Sequence, residues 1–409
     1  MPSTSAPTPV WWSGPGSPDV AATRGTRDPA AAADSALPDE AHVAALARLP
    51  RVGPARLRAM LDRYGPRGAW NAVLAGTVDP VVVVSPGRDD PRRLVATWRR
   101  SAAAIEPGAY WQAHLDAGIG VAARGSSAFP APLAADDDPP AVIFWQGDLD
   151  HLAGVRAAVV GTRRATRYGL DVAHDLGRCL AEAGVAVVSG LALGIDGAAH
   201  AGALAAEAAP PIAVVGSGLD RVYPREHGPL WRQVARTGVV LSEYPLGAPA
   251  AAWQFPARNR LIAALADVVV VVESQATGGA MGTAVEAARR GVPVLAVPGP
   301  VTAASSDGTN QLLFDGCPPA RDATDVLLAL GREPARARRA AERRPRPEGD
   351  AKAVLAEVPW GPVAAETLAL ATGLDLGRLA LALDRLEADG WVARRGGWIE
   401  RLGRPAGGT

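Results

Sequence analysis

The sequence predicts an α/β protein built on a parallel, doubly wound sheet, with a helical region before the sheet and a compact unit of helices and one hairpin after it. Three observations carry this. Six short Val/Ala/Ile runs occur at 157–160, 185–188, 212–215, 238–241, 268–272 and 293–297, each continuous rather than alternating, as strands buried on both faces read. Helical segments at 168–183, 194–207, 226–236, 257–266 and 279–290 separate them, so β and α alternate as a parallel sheet requires. The chain of 409 residues exceeds one ordinary domain, and its 48% hydrophobic content supplies a sizeable core.

Taken in order, residues 1–38 are rich in Pro, Ala, Ser and Gly, a composition that cannot bury enough surface to order itself, and are expected to be a disordered tail. A helical domain is expected over 39–120, with apolar residues in helical spacing at Val43, Leu46 and Leu49, at Leu57, Met60 and Leu61, and at Trp70, Val73 and Leu74. Between its first two helices, Leu49-Pro50-Arg51-Val52-Gly53-Pro54 is similar to a helix-hairpin-helix turn, with Arg51 at the first of that motif's two glycine positions. Its amides face either a nucleic-acid backbone or a packed neighbouring helix. After a Val/Pro-rich connector, Val78 to Pro86, two more helices carry Leu94 and Trp98, then Tyr110, Trp111 and Leu115. A transition segment from Phe129 to Gly147 leads into the strands of the core, which spans 121–330.

A linker dense in Arg, Pro, Ala and Glu follows over 331–350. The last unit, 351–403, reads as helices near 351–357, 363–371 and 375–388, then Trp391-Val392-Ala393, a turn at Arg394-Arg395-Gly396-Gly397, and Trp398-Ile399-Glu400. That is a winged-helix pattern. Its third helix sets Asp375, Asp384 and Glu387 against Arg378 and Arg385, a poor charge balance for a major groove, and only the wing is basic. An accessory or protein-interaction role is therefore expected.

Composition excludes several functions. The formal net charge is zero, so any nucleic-acid contact must come from a local patch. Forty-one of the 42 basic residues are arginine and Lys352 is the one lysine, which rules out a Walker A site and a Schiff-base lysine in the core. Cys179 and Cys317 are too few for a disulfide framework or a zinc site. No run approaches the ~20 apolar residues of a membrane span, and the first thirty residues hold no uninterrupted apolar segment, so a cytoplasmic protein is expected. Gly216-Ser217-Gly218-Leu219-Asp220-Arg221 lacks the third glycine of a dinucleotide fingerprint. His200, one helical turn after Asp196, is either a ligand or base with it, or a partner in an internal hydrogen bond that fixes a loop. No nucleophile elbow is present; no catalytic residue, metal or cofactor is expected.

Ligands of open parallel sheets bind at the carboxyl ends of the strands. The loops there read Gly161-Thr162-Arg163-Arg164, Ser189-Gly190-Leu191-Ala192, Gly216 to Arg225, Ser242-Glu243-Tyr244-Pro245, Glu273 to Gly279 and Pro298-Gly299-Pro300. They combine glycines that admit close backbone approach with hydroxyls and arginines that donate to phosphate oxygens. Arg258-Asn259-Arg260, just after Pro256 and before Leu261-Ile262-Ala263-Ala264, places charged and neutral donors where a helix N-terminus favours anions. The competing reading is a surface ion-pair cluster.

Gly161-Thr162-Arg163, Tyr168-Gly169, Ser189-Gly190-Leu191-Ala192 with Gly194-Ile195-Asp196 and His200, Tyr223-Pro224, Ser242-Glu243, Phe255-Pro256-Ala257-Arg258-Asn259-Arg260, Glu273, Thr277-Gly278, Pro298-Gly299 and Gly308-Thr309-Asn310 together closely resemble the DNA-processing protein DprA (Smf) family. Thr162 stands where serine is commoner, His227 where asparagine is usual, and Gly279-Ala280-Met281 replaces a hydroxyl residue followed by larger apolar ones. The resemblance implies an extended Rossmann-like core, a SAM or helix-hairpin-helix-like helical domain and a C-terminal winged helix. It implies a non-enzymatic protein, a homodimer, that binds single-stranded DNA, protects incoming strands in natural transformation and homologous recombination, and loads the recombinase RecA. The pocket it implies comprises Gly161, Thr162, Arg163, Ser189, Gly190, Arg225, Arg258, Asn259, Arg260, Thr277 and Gly278. Tyr223 and Phe255 are either stacking faces for bases or core rings.

A second resemblance is of another class. Gly278-Gly279-Ala280-Met281-Gly282-Thr283 with Glu286 is similar to the Gly-Gly-x-Gly-Thr-x-x-Glu signature of nucleoside-monophosphate phosphoribohydrolases (lysine-decarboxylase-like proteins), with one extra residue between the glycines. There the glutamate would assist glycosidic cleavage. For the winged-helix unit the charge pattern makes a direct prediction: deletion of 345–409 leaves most single-strand affinity intact in an equilibrium binding titration, and binding retained by the tail fragment alone would refute it.

Overall fold

The computed structural model describes residues 37–83, 90–332 and 344–402. The expected tail, most of the connector's second half and most of the linker lie outside the described residues. The core is one eight-stranded sheet: β1 (Gly120–Ala123), β2 (Val142–Gly147), β3 (Arg156–Val160), β4 (Ala186–Ser189), β5 (Ile212–Val215), β6 (Val239–Ser242), β7 (Val268–Val271) and β8 (Val294–Ala296), in the order β1-β2-β6-β5-β4-β3-β7-β8. The six predicted strands are all present and pair in parallel. β1 and β2 add to the six expected strands. Val142–Gly147, expected as part of a transition, joins β6 antiparallel, and β1 pairs with it in turn. The Pro-flanked segment hid an edge strand because its partner is almost a hundred residues away in the chain.

The sheet is buried on both faces, as its continuous apolar runs require. Ala157 and Val159 of β3 pack with Leu176, Leu180 and Ile195 on one side; Ala158 and Val160 pack with Ile262 and Leu265 on the other, the period of two that a strand imposes. Gly161 to Thr166 then lead into the helix Arg167–Glu182, capped by the Thr166 hydroxyl, which accepts from Gly169 N.

Before the sheet come the helices Asp39–Ala47, Gly53–Ala75 (kinked at Gly65), Pro80–Val83, Pro91–Ala102 and Pro107–Asp116. Their apolar faces do not close on themselves alone. Val43, Leu46, Met60 and Trp98 belong to the same buried cluster as Val121, Phe144, Val215 and Val240. Trp98 is wholly buried and its indole donates to Pro50 O at 2.8 Å, which fixes the Leu49–Pro54 turn against the helix Pro91–Ala102. At the other end, the helices Gly349–Glu357, Ala365–Thr372 and Leu376–Ala388 with β9 (Val363–Ala364), β10 (Val392–Arg395) and β11 (Trp398–Arg401) form a small three-stranded unit with its own core.

An ionic network joins the helical region to the sheet. Arg58 pairs with Asp138. Arg260 donates to Asp138 O at 2.9 Å and pairs with Glu243 at 2.5 Å. Burial pushes Glu243 up to about 7 from an ordinary 4.5, with Arg260 opposing the shift. Burial would also raise Asp138, but Arg58 and Arg260 hold it below the usual carboxylate range.

Arg260→Met strands a buried carboxylate and should cost about 3–5 kcal/mol of stability. Without Arg260, the folded state keeps Glu243 protonated to a higher pH, so a proton that the unfolded chain releases must still be held, and stability keeps falling as pH rises. Above pH ~7 the native pair has no such slope left. Denaturant unfolding should therefore show a larger deficit at about pH 8 than at about pH 5; equal deficits would exclude the pairing as described.

Candidate nucleic-acid interface

The chain leaves β3 towards β4 on one side and returns as β7 on the other, which makes the carboxyl end of β3 the switch point where ligands of such sheets bind. The loops there are drawn together by backbone contacts. Thr162 N donates to Glu273 O at 2.7 Å, and Ile195 N donates to Thr162 O at 3.3 Å. A Cβ on Gly161 would stand 2.5 Å from Ile195, so the first loop can lie flat on the next helix only because it has no side chain there.

Arg258 lies at the centre. It sits in the second turn of the helix Gln254–Leu265, is 4% exposed, and its guanidinium lies so close to the following loop that a Cβ on Gly190 would stand 1.7 Å from Nη1. Its Nε and Nη1 are buried and have no hydrogen-bond partner among the described residues. The nearby carboxylate, Asp196, is itself buried; it accepts from Gly190 N at 3.2 Å and is also held by the amides of Gly161 and Ala192. Burial raises Asp196, with Arg258 opposing, and burial lowers Arg258, with Asp196 opposing. The carboxylate thus balances the charge while its lone pairs are taken by amides. Unmet buried donors cost about 1–3 kcal/mol each, and native structures rarely leave them so without a reason.

The walls of this crevice are Arg163, Gly190, Ala192, Leu193, Gly216, Ser217, Tyr223, Pro224 and Phe255. The Arg163 guanidinium lies 4.5 Å from the Phe255 ring centroid, and Phe255 lies 5.4 Å from Tyr223 at an interplanar angle of 34°. Phe255 is half-buried and Tyr223 is 43% exposed. Of the two alternatives for these rings, the wall is the one observed rather than the core, and Arg163 is propped on them. The crevice is small, about 30 Å³, against the 300–1,000 Å³ typical of small-molecule sites. It admits a phosphate oxygen or a base edge, not an enclosed nucleotide.

The other expected site residues do not all converge here. Arg225 follows Pro224 on the exposed rim. Ser189 is wholly buried and donates to Val159 O at 2.7 Å, which locks β4 to β3. Asn259 donates to Gly279 O at 3.0 Å, tying two helices. Gly278 caps the helix Gly279–Arg289 beside the exposed Thr277, outside the crevice wall. Arg260 is turned away from it altogether, into the Glu243 and Asp138 network. His200 does not meet Asp196: it is buried, its Nε2 lies 3.2 Å from Ile212 O, and burial lowers it to about 4. Glu286, the glutamate of the second resemblance, is engaged by Arg289 at 2.9 Å and by Arg290 at 2.6 Å. In the terminal unit Arg394 is pinned to Asp384 and Glu387 of the preceding helix, so the wing is less basic than its sequence suggests. What sequence reasoning missed is Asp196 as the charge beneath Arg258; its place at the start of a helix after a glycine loop was the available signal.

Two family models match: one described as DNA recombination-mediator protein A over residues 120–331, the other as DprA winged helix domain over 338–397. The putative DNA processing protein DprA of Mycobacterium tuberculosis is 47% identical over 194 residues, 47% of this chain and 50% of that protein. The DNA processing protein DprA of Bacillus subtilis is 36% identical over 219 residues, 53% of this chain and 73% of that one. The chain thus spans about half the length of the first relative and more of the second. The X-ray structure of DprA from Streptococcus pneumoniae superposes with a TM-score of 0.58 at 29% identity, covering 71% of this chain and 96% of that one. With a family model covering more than half of its length, an eight-stranded switch-point sheet and a winged-helix unit in the same order, the chain belongs to the DNA recombination-mediator protein A (DprA/Smf) family.

Proposed function

We propose that the protein binds single-stranded DNA on the carboxyl rim of its sheet, with the backbone phosphates seated against Arg258 and Arg163. The observation that carries this reading is the Arg258 guanidinium, buried with two donor atoms unmet at the floor of a crevice. An anionic oxygen is the partner that such a donor set lacks, and a crevice too small for a nucleotide still suits one oxygen of a longer backbone. Tyr223 offers a partly exposed ring to a base, which is worth about 1–3 kcal/mol when stacked and is indifferent to sequence. Net charge of zero is compatible with this because the contact is local.

Family membership supports a DNA-processing role. On that basis the protein protects incoming strands in natural transformation and recombination in the cytoplasm, works as a homodimer and hands the strand to the recombinase RecA. It acts by binding, without a catalytic centre. The engagement of Glu286 by two arginines and the size of the crevice weigh against nucleotide hydrolysis.

Arg258→Ala should lower affinity for oligothymidylate by roughly 10–100-fold, the worth of a charged hydrogen bond or two, and should lessen the salt slope by about 0.7 for each phosphate no longer neutralised. Gly190→Ala keeps the charge but displaces it, and should weaken binding comparably. A fluorescence anisotropy salt series reads both; unchanged affinity and slope in the two variants would defeat the pocket, and release of free base from nucleoside monophosphates would favour the hydrolase instead.

A further inference from the structure

The helix that carries Phe255 and Arg258 into the crevice also begins a second concavity. A cleft of about 1130 Å³ runs between the turn around Arg51 and the loop Tyr244–Pro249, and Trp253 and Gln254 line it too. From Trp253 to Arg258 is five residues, about 7–8 Å along a helix axis. The same five residues turn about 140° round that axis, so a strand seated on Arg258 would pass over the start of the helix to enter the cleft.

The cleft is furnished for that. Trp253 is 57% exposed, yet Tyr244 holds its ring edge-on, with centroids 5.8 Å apart at 82°, so a large flat face is kept in place without being covered. Tyr244 is 6% exposed and its hydroxyl has no hydrogen-bond partner among the described residues. The helix Gly53–Ala75 starts at the cleft with a proline in its first turn and no side-chain cap, leaving first-turn amides without a capping acceptor. Arg48 is occupied as wall: it donates to Leu246 O at 3.2 Å and lies over Tyr110. The carboxylate that lines the cleft, Glu243, is held by Arg260.

We propose that this cleft is a second subsite for single-stranded DNA, in which the strand leaving the Arg258 crevice stacks a base on Trp253 and sets its backbone against the first turn of the helix Gly53–Ala75. The proposal rests on the reading of the crevice given above. An unpaired strand is the occupant because an exposed indole stacks only on a base that is not already stacked in a duplex.

The test compares a thymidine dinucleotide, too short to lie on Arg258 and on Trp253 at once, with an oligothymidylate of ~20 nucleotides, longer than a single-strand site, on the full chain carrying Trp253→Ala, Trp253→Phe or Arg258→Ala. Trp253→Ala should leave the dinucleotide's affinity unchanged and lower the long strand's by roughly ten-fold, with Trp253→Phe recovering most of the loss. An iododeoxyuridine placed along the long strand should crosslink to the peptide containing Trp253. Equal losses for both lengths, no loss for either, or a Trp253-dependent preference for duplex would overturn the second subsite. Loss of both lengths in Arg258→Ala with none in Trp253→Ala would sink the second subsite alone and leave the crevice standing. Intact binding of both lengths in Arg258→Ala would sink the crevice reading and, with it, the continuous path.

Discussion

The burial of one guanidinium over a glycine governs the arrangement of this rim. Arg258 can lie where it does because Gly190 has no Cβ, and it can keep its charge there because Asp196 sits beneath it, held by backbone amides. Remove the glycine and the arginine is expelled; remove the aspartate and a buried cation stands without compensation, which costs several kcal/mol. The loops after β3 and β4 are shaped around this contact.

Helix geometry explains why its neighbour does a different job. Residues two apart on an α-helix point to nearly opposite sides, so Arg258 and Arg260 cannot serve one crevice. Arg258 faces the glycine loops and Arg260 faces Glu243 and Asp138. The second arginine thereby joins the sheet to the N-terminal helices through Arg58. One short motif supplies both the unmet buried donor of the crevice and the brace that holds the helical region against the sheet, and the helix in which it lies begins with Gln254 on the cleft and Phe255 on the crevice.

A binding rim and a reaction centre make different demands. Catalysis by a carboxylate needs that group available to the reacting atoms, whereas Glu286 is engaged by flanking arginines and Asp196 by amides. The proposed strand binding would need unmet donors and flat faces, and the rim presents both in Arg258 and Tyr223. The winged-helix unit adds little positive field to this, since Arg378 pairs with Asp350 and Arg394 with Asp384 and Glu387.

The sequence by itself determined the parallel core with its alternation of helices and strands, the winged unit and the family, because continuous Val/Ala runs and glycine-rich loops are local signals that the sheet's two-sided burial imposes on the chain. It also pointed to Arg258, Arg163 and Gly190. Tertiary structure alone decided that β1 and β2 extend the sheet antiparallel, that the N-terminal helices share its core, that Phe255 is wall rather than interior, and that Arg260, Asn259 and Ser189 are braces. Those outcomes depend on which groups from distant segments meet, and on which donors find acceptors first. Spacing along the chain records neither.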